Sequence, residues 1–164
     1  MTQAHAPLRQ AVSADIPGMQ RVRHAVKENR LVSRVIDDDE VRHAIEVSGR
    51  GWVVEQDAQI VGFAIGNGQT GHIWALFIDP AHEGQGHGRR LHDALLEWLW
   101  SRGLRRLWLS TDPNTRAQRF YASAGWRACG LLPDGEMLFE RFAPHSPTLP
   151  SHPRAEGRGS RYTR

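Results

Sequence analysis

The segment Glu83-Gly84-Gln85-Gly86-His87-Gly88-Arg89-Arg90 joins a strand-like run to an amphipathic helical pattern, and it governs the interpretation of the whole chain. Its three glycines stand at alternate positions, where they let the backbone turn tightly and approach a ligand. The N–H groups of such a loop point to the same place as the N-terminus of the following helix, which makes a site for an anion such as a pyrophosphate. Arg89 and Arg90 add positive charge beside it. Taken alone, the loop is interpreted equally well as a glycine-rich turn that begins a helix.

Three kinds of phosphate site compete for this loop. A Walker loop requires Gly-Lys-Ser/Thr, which this loop lacks. A dinucleotide fingerprint requires G-x-G-x-x-G, but Arg89 stands where the third glycine belongs. Asp112 lies just past the end of the next predicted strand, where such folds place a ribose-binding acid. However, the loop comes late in the chain rather than in a first βαβ unit. The pyrophosphate of coenzyme A is the third interpretation.

Outward from this loop, short apolar runs alternate with helical patterns. Ser13 is expected to cap a first helix, and Asp37 or Asp38 a second one that ends at Gly49 and Gly51. The third helix follows the glycine loop and ends at Gly103, and the fourth starts at Asp112-Pro113 and ends at Gly125. The predicted strands are Leu8–Val12, Trp52–Glu55, Ile60–Ile65, His72–Ile78, Leu104–Ser110, Trp126–Leu131 and Met137–Phe142. The order β-α-α-β-β-β-α-β-α-β-β predicts an α+β (mixed α/β) domain with a mostly antiparallel sheet of six to seven strands flanked by helices.

The composition excludes several classes of protein. A chain of 164 residues with 40% hydrophobic residues is expected to form one globular domain. It contains no apolar run long enough to span a membrane and no signal-like start, so a cytoplasmic protein is expected. A single cysteine, Cys129, excludes a disulfide framework, and we expect its thiol in the core. The histidines match no metal-ligand spacing, so no metal site is predicted.

The net charge of +3 lies at one end of the chain. Residues 143–164 contain four arginines and one glutamate, which leaves residues 1–142 neutral. This tail is also rich in proline and poor in apolar residues, so we expect it to be disordered. A solubilising role is favoured for it, and contact of its arginines with RNA or anionic lipid is the alternative. A neutral domain offers no groove for specific nucleic-acid binding.

Two motifs resemble those of the GNAT superfamily of N-acetyltransferases. In motif A, Q/R-x-x-G-x-G/A, Glu83 takes the first position, Gly86 the fourth and Gly88 the sixth. In motif B, N-x-x-A-x-x-F-Y-x-x-x-G-F, the matching residues are Asn114, Ala117, Phe120, Tyr121, Gly125 and Trp126. The glutamate departs from motif A, and because an acid is unfavourable near a pyrophosphate we expect its side chain to point away. The resemblance spans about Leu8 to Phe142, so residues 1–142 are expected to form an acetyltransferase-like domain.

The resemblance implies an acetyl-CoA-dependent enzyme that needs no nucleophile of its own. In this family the fourth and fifth strands splay apart, and the pantetheine arm pairs with the fourth strand like an added strand. The acetyl group passes to a primary amine of a small molecule or a peptide by direct attack, through a tetrahedral intermediate that a backbone N–H stabilises. Members are often dimers, so a homodimer is an expectation. The implied coenzyme-binding residues are Leu76, Phe77, Ile78, Gly84, Gln85, Gly86, His87, Gly88, Arg89, Arg90, Asn114, Ala117 and Tyr121.

The resemblance also indicates candidate catalysts. Tyr121 matches the motif B tyrosine, which can protonate the leaving thiolate as a general acid. The usual acid on the fourth strand is missing, which leaves His72, Glu28 or a relay of water as the general base.

Two other functions remain open on the sequence. A non-catalytic acyl-CoA-binding sensor or interaction module is consistent with the missing acid, and a nucleotide-binding α/β module is consistent with Asp112.

Overall fold

The computed structural model describes residues 6–26 and 35–144 of the chain. This described part contains seven strands and four α-helices in the order expected from the sequence. The strands are β1 (Leu8–Gln10), β2 (Gly49–Gln56), β3 (Gln59–Asn67), β4 (Ile73–Ile78), β5 (Arg106–Thr111), β6 (Arg127–Leu131) and β7 (Met137–Phe142). The α-helices are α1 (Ile16–Ala25), α2 (Asp38–Glu46), α3 (His87–Ser101) and α4 (Arg116–Ser123). The predicted α+β class and element order are therefore confirmed.

The strands form two antiparallel groups that meet at one point. One group has the order β1-β2-β3-β4 and the other the order β5-β7-β6. Between β4 and β5, the described residues form one isolated parallel bridge, from His72 to Trp108. Beyond this bridge the two strands are not paired, which confirms the expected splay. The result is a V-shaped gap that is narrow at the bridge and wide towards Ile78 and the glycine loop.

Apolar residues bury both faces of the sheet. On one face, α3 packs through Leu91, Leu95 and Leu99, whose side chains are at most 1% exposed. On the other face, α1 and α2 pack in a second cluster that includes Met19 and Val22. Each helix repeats its apolar residues every three or four positions, so one stripe of each faces the sheet. The sheet is thereby held between two helical layers, with the V-shaped gap at its centre.

Two helix boundaries differ in detail from the sequence expectation. A 3₁₀ turn at Ser13–Asp15 precedes α1, and the carboxylate of Asp15 accepts the Val12 N–H at 2.9 Å, so Ser13 is not the cap. Asp37 caps α2 as expected by accepting the Glu40 N–H. The expected stop at Gly49 was wrong, because this residue begins β2. A Cβ at this position would lie 1.9 Å from the Gly66 carbonyl oxygen, so a glycine is needed here for β2 to approach β3 closely.

Cys129 was expected in the core and is instead exposed. It lies on β6, the edge strand of its group, and all five residues of that strand are exposed. None of the helices in the described residues is long and apolar enough to cross a lipid bilayer. Glu28 and nearly all of the tail, residues 145–164, lie outside the described residues.

Candidate active site

The splayed strands border a cleft of about 410 Å³. Its walls come from β4, the glycine loop, the end of β5 and the first turns of α4. Most of the sequence-predicted coenzyme residues meet here, namely Leu76, Phe77, Ile78, Gly84, Gly86, His87, Gly88, Arg89, Ala117 and Tyr121. The fold therefore brings motif A and motif B, about 30 positions apart in sequence, to one cleft.

The glycine loop presents bare backbone to open space. Gly84 and Gly86 have φ values of +75° and +82°, a left-handed conformation that side chains rarely adopt. A Cβ built on either residue would have no atom of the described residues within 4 Å. At Gly88 the nearest atoms, on Ile78 and Phe120, are 3.7 and 3.8 Å away. Gly86 is also the residue that precedes α3, whose first N–H groups have no acceptor within the helix. This loop and helix end fit a diphosphate, which needs converging N–H donors.

β4 presents unpaired backbone groups to the gap. The Asp79 N–H donates to the Val61 carbonyl at 2.8 Å, which makes these residues a hydrogen-bonded pair between β4 and β3. In an antiparallel ladder such groups alternate in direction, so the N–H and C=O of Leu76 and Ile78 face the β5 side. An extended chain with amide groups, such as a pantetheine arm, could add itself to this edge.

Tyr121 lies on α4 and borders the cleft. Its ring packs against Trp126 and Phe139, at centroid distances of 5.6 and 6.1 Å, and the residue is 6% exposed. Burial raises the pKa of its hydroxyl above the ordinary value, because a phenolate would be poorly solvated. The phenol is therefore protonated across the neutral range, which suits a proton donor.

A carboxylate that the sequence analysis missed also borders the cleft. The Ser110 hydroxyl donates to Glu136 Oε2 at 2.5 Å, and both residues belong to the cleft wall. Ser110 lies on β5 two positions after the bridging Trp108, close to the narrow end of the gap. Glu136 precedes β7, in a turn closed by the Leu132 N–H donating to the Glu136 carbonyl at 2.7 Å. Its position depends on how β7 pairs with β5, and no local sequence pattern signals it.

Among the described residues, the other base candidate, His72, does not border the cleft. His72 stacks on Trp108 with ring centroids 4.0 Å apart, and burial lowers the pKa of its imidazole. His72 is not among the described residues that line the cleft. Glu28 lies outside the described residues.

Three predicted coenzyme residues also lie off the wall formed by the described residues. Arg90 donates to the Ala6 carbonyl at 2.7 Å and so ties α3 to the start of β1. Gln85 contacts the ring nitrogen of His87 at 3.2 Å. Asn114 adopts a φ of +62° just before α4, a conformation that asparagine tolerates well.

The side chain of Glu83 was expected to point away from the pyrophosphate site, but it borders the cleft. Its carboxylate forms an ion pair with the guanidinium of Arg116, the first residue of α4, and both residues border the cleft. This pair links the glycine loop to α4. Among the described residues, no group of three or more histidine, cysteine, aspartate or glutamate side chains is arranged to hold a metal ion.

Comparisons with known proteins agree with this geometry. The sequence profile of the Acetyltransferase (GNAT) family matches residues 19–126. A [ribosomal protein bS18]-alanine N-acetyltransferase from Haemophilus ducreyi is 36% identical over 90 residues, which are 49% of this chain and 61% of that protein. A mycothiol acetyltransferase from Acidothermus cellulolyticus is 33% identical over 109 residues, which are 55% of this chain and 32% of that protein.

The fold is shared with solved structures as well. A putative acetyltransferase from Salmonella typhimurium, solved with its cofactor acetyl-CoA, superimposes with a TM-score of 0.73 at 19% identity, over 87% of this chain and 97% of that one. The alignments cover less than two thirds of the length of the two sequence relatives. The family match nevertheless extends over more than half of this chain and includes both motifs. This chain belongs to the GNAT family of acetyltransferases.

Proposed function

We propose that this protein transfers an acetyl group from acetyl-CoA to a primary amine. The observation that carries the proposal is the unpaired gap between β4 and β5, which opens at its wide end onto the glycine loop and the N-terminus of α3. A diphosphate at the loop and an extended arm along β4 would lead from the surface into the gap. The fold's likeness to a structure that holds acetyl-CoA supports this assignment.

The coenzyme would be held mainly by backbone. The N–H groups of the glycine loop and of the first turn of α3 would bind the diphosphate, with Arg89 adding positive charge. The outward N–H and C=O groups of Leu76 and Ile78 would pair with the pantetheine amides. Acetyl-CoA supplies the reaction with an acetyl group activated as a thioester.

Two side chains would manage the protons of the transfer. Glu136, placed by Ser110, would take a proton from the acceptor ammonium so that its nitrogen lone pair can bond to the acetyl carbon. As the carbon–sulfur bond breaks, the Tyr121 hydroxyl would give its proton to the leaving sulfur. The positively charged nitrogen of the tetrahedral intermediate would lose its second proton as the amide forms, and that proton would restore the Tyr121 phenol through water. The proton on Glu136 would be released to solvent, so the transfer releases one proton overall. Among the base candidates, the position of Glu136 in the cleft wall favours it over His72.

The acceptor is assigned to the narrow end of the gap. Trp74 on β4 and Ser110 on β5 each lie two positions beyond the bridge, and Glu136 contacts Ser110. One relative is named for acetylation of an alanine of a ribosomal protein and another is named a mycothiol acetyltransferase, so the names point to a protein acceptor and to a small-molecule one. We therefore infer an amine acceptor of one of these two kinds.

Calorimetry with acetyl-CoA, followed by a free-thiol assay over a panel of amines and peptides, tests the proposal. We expect saturable binding and thiol release that depends on the amine. Absence of binding at millimolar coenzyme would refute the proposal. Binding without thiol release over the panel would indicate an acyl-CoA sensor, and preferential binding of NAD or ATP would indicate a nucleotide-binding module.

The Glu136→Gln variant tests the base separately. We expect kcat to fall by about 10²–10⁴-fold while the Kd for acetyl-CoA stays unchanged, as for loss of a general base. Glu97→Gln is the matched control, because Glu97 is exposed on α3 and absent from the cleft wall. Equal kcat in both variants would remove Glu136 from the mechanism.

A further inference from the structure

An ion pair stands across the entrance of the proposed diphosphate site. Glu83 is the residue before Gly84, and Arg116 is the first residue of α4, 33 positions later. Both side chains border the cleft, and they remain 36% and 62% exposed. The pair is thus an accessible contact between the loop that would bind phosphate and the helix on the opposite wall.

The two charges have opposite consequences for a phosphate ligand. A carboxylate next to the glycine loop repels a diphosphate, whereas a guanidinium offers a planar fork of donors that suits phosphate oxygens. As long as the pair is intact, each charge is largely satisfied by the other. Exposed ion pairs contribute little to protein stability, so exchanging this one for another partner costs the fold little.

Other charged groups around the loop do not duplicate this arrangement. Arg89 lies 3.3 Å from Asp93, its neighbour one turn along α3. Asp112 borders the cleft on the side of β5. Among the described residues, the Glu83–Arg116 contact is therefore the ion pair that connects the glycine loop to α4.

We propose that Arg116 exchanges Glu83 for a phosphate group of the coenzyme when the coenzyme binds, and that Glu83 thereby weakens coenzyme affinity. This inference rests on the proposed function, since it requires a phosphorylated coenzyme in the cleft. The bound ligand provides an anion with more charge and more acceptor atoms than the carboxylate, which favours the exchange. Glu83 acts as an internal competitor, and its repulsion aids release of the product coenzyme.

The proposal predicts effects of opposite sign for the two partners of one ion pair. We expect Glu83→Gln to tighten the Kd for coenzyme A by about 3–10-fold, because repulsion and competition are both removed. We expect Arg116→Gln to weaken the Kd by about 10-fold and to make it less sensitive to salt. A contact that only braces the loop would instead change both Kd values in the same direction or leave both unchanged, and that result would overturn the proposal.

Calorimetry on the full chain provides the measurement, with Asp39→Asn and Arg42→Gln as matched controls. Asp39 and Arg42 form an exposed ion pair on α2, at 2.7 Å, so these variants change the net charge equally at a site outside the cleft wall. Repeating the titrations with 3′-dephospho-CoA identifies the phosphate. If the effect of Arg116→Gln persists, Arg116 binds the diphosphate, and if it disappears, Arg116 binds the 3′-phosphate.

The same experiment separates this inference from the proposed function. If the unmodified protein binds no coenzyme A, the proposed function fails. If it binds coenzyme A and the two variants do not move Kd in opposite directions, the inference alone fails.

Discussion

Replacing Tyr121 by phenylalanine removes one hydroxyl from the cleft and leaves the ring in place. The ring contacts with Phe120, Trp126 and Phe139 do not involve the hydroxyl oxygen, so packing is retained. The loss of one polar group should change the free energy of unfolding by no more than about 1 kcal/mol. For a domain of this size, that corresponds to a change in melting temperature of about 2–4 °C.

The effect on turnover should be much larger than the effect on stability. Loss of a general acid lowers kcat by about 10²–10⁴-fold, which corresponds to about 3–5 kcal/mol of transition-state stabilisation. Coenzyme affinity should not change, because the phosphates and the pantetheine arm would be held by the backbone of the loop and of β4. Because burial raises the pKa of Tyr121, the acid stays protonated in alkaline solution, and kcat should show no alkaline decline from this group below about pH 10.

Stopped-flow or steady-state thiol release, calorimetry and thermal melting together test this prediction. Trp126→Phe is the control, because Trp126 belongs to the same aromatic cluster but not to the cleft wall. Its Nε1–H donates to His92 Nε2 at 2.9 Å in the core, so we expect this variant to lose about 1–3 kcal/mol of stability and to retain kcat. If kcat of Tyr121→Phe stays within twofold of the unmodified protein, Tyr121 serves packing alone.

Three further results are expected. Gly86→Ala and Gly103→Ala should each lower the free energy of unfolding by about 1–2 kcal/mol in thermal melts, because both glycines have a φ near +82°. Only Gly86→Ala should also weaken acetyl-CoA binding. Equal affinities of the two variants for acetyl-CoA would argue against the loop assignment. Cys129 should react with a thiol reagent in the folded protein and without loss of activity, since it is exposed on β6, and inactivation would contradict its position. The Arg9 hydrogen bond lowers the pKa of Asp15 below 3.8, so this carboxylate stabilises the native state above about pH 4 and less as the pH falls further. The difference in melting temperature between the unmodified protein and Asp15→Asn should therefore be constant at pH 5–8 and shrink below pH 4.

The departures from the sequence expectations share a physical origin. Asp15 replaces Ser13 at the start of α1 because Arg9, on a neighbouring strand, holds its carboxylate in place through two hydrogen bonds of 2.8 Å. Cys129 is exposed because β6 lies at the edge of its strand group. The sequence of an apolar strand does not indicate whether another layer of the fold covers it. Both outcomes depend on contacts between different elements, which the pattern within one element does not show.

The amino-acid sequence alone determined the order of the elements, the glycine loop at the start of α3 and the motif on α4. These are local properties, since they follow from apolar periodicity, from glycine's access to positive φ and from the spacing of residues within one helix. The tertiary structure decided which side chains share the cleft. Ser110 meets Glu136 because β7 pairs with β5, and Glu83 meets Arg116 because the splayed strands bring two helix ends together. Contacts of this kind depend on strand pairing over long separations, which leaves no periodic signal in the sequence.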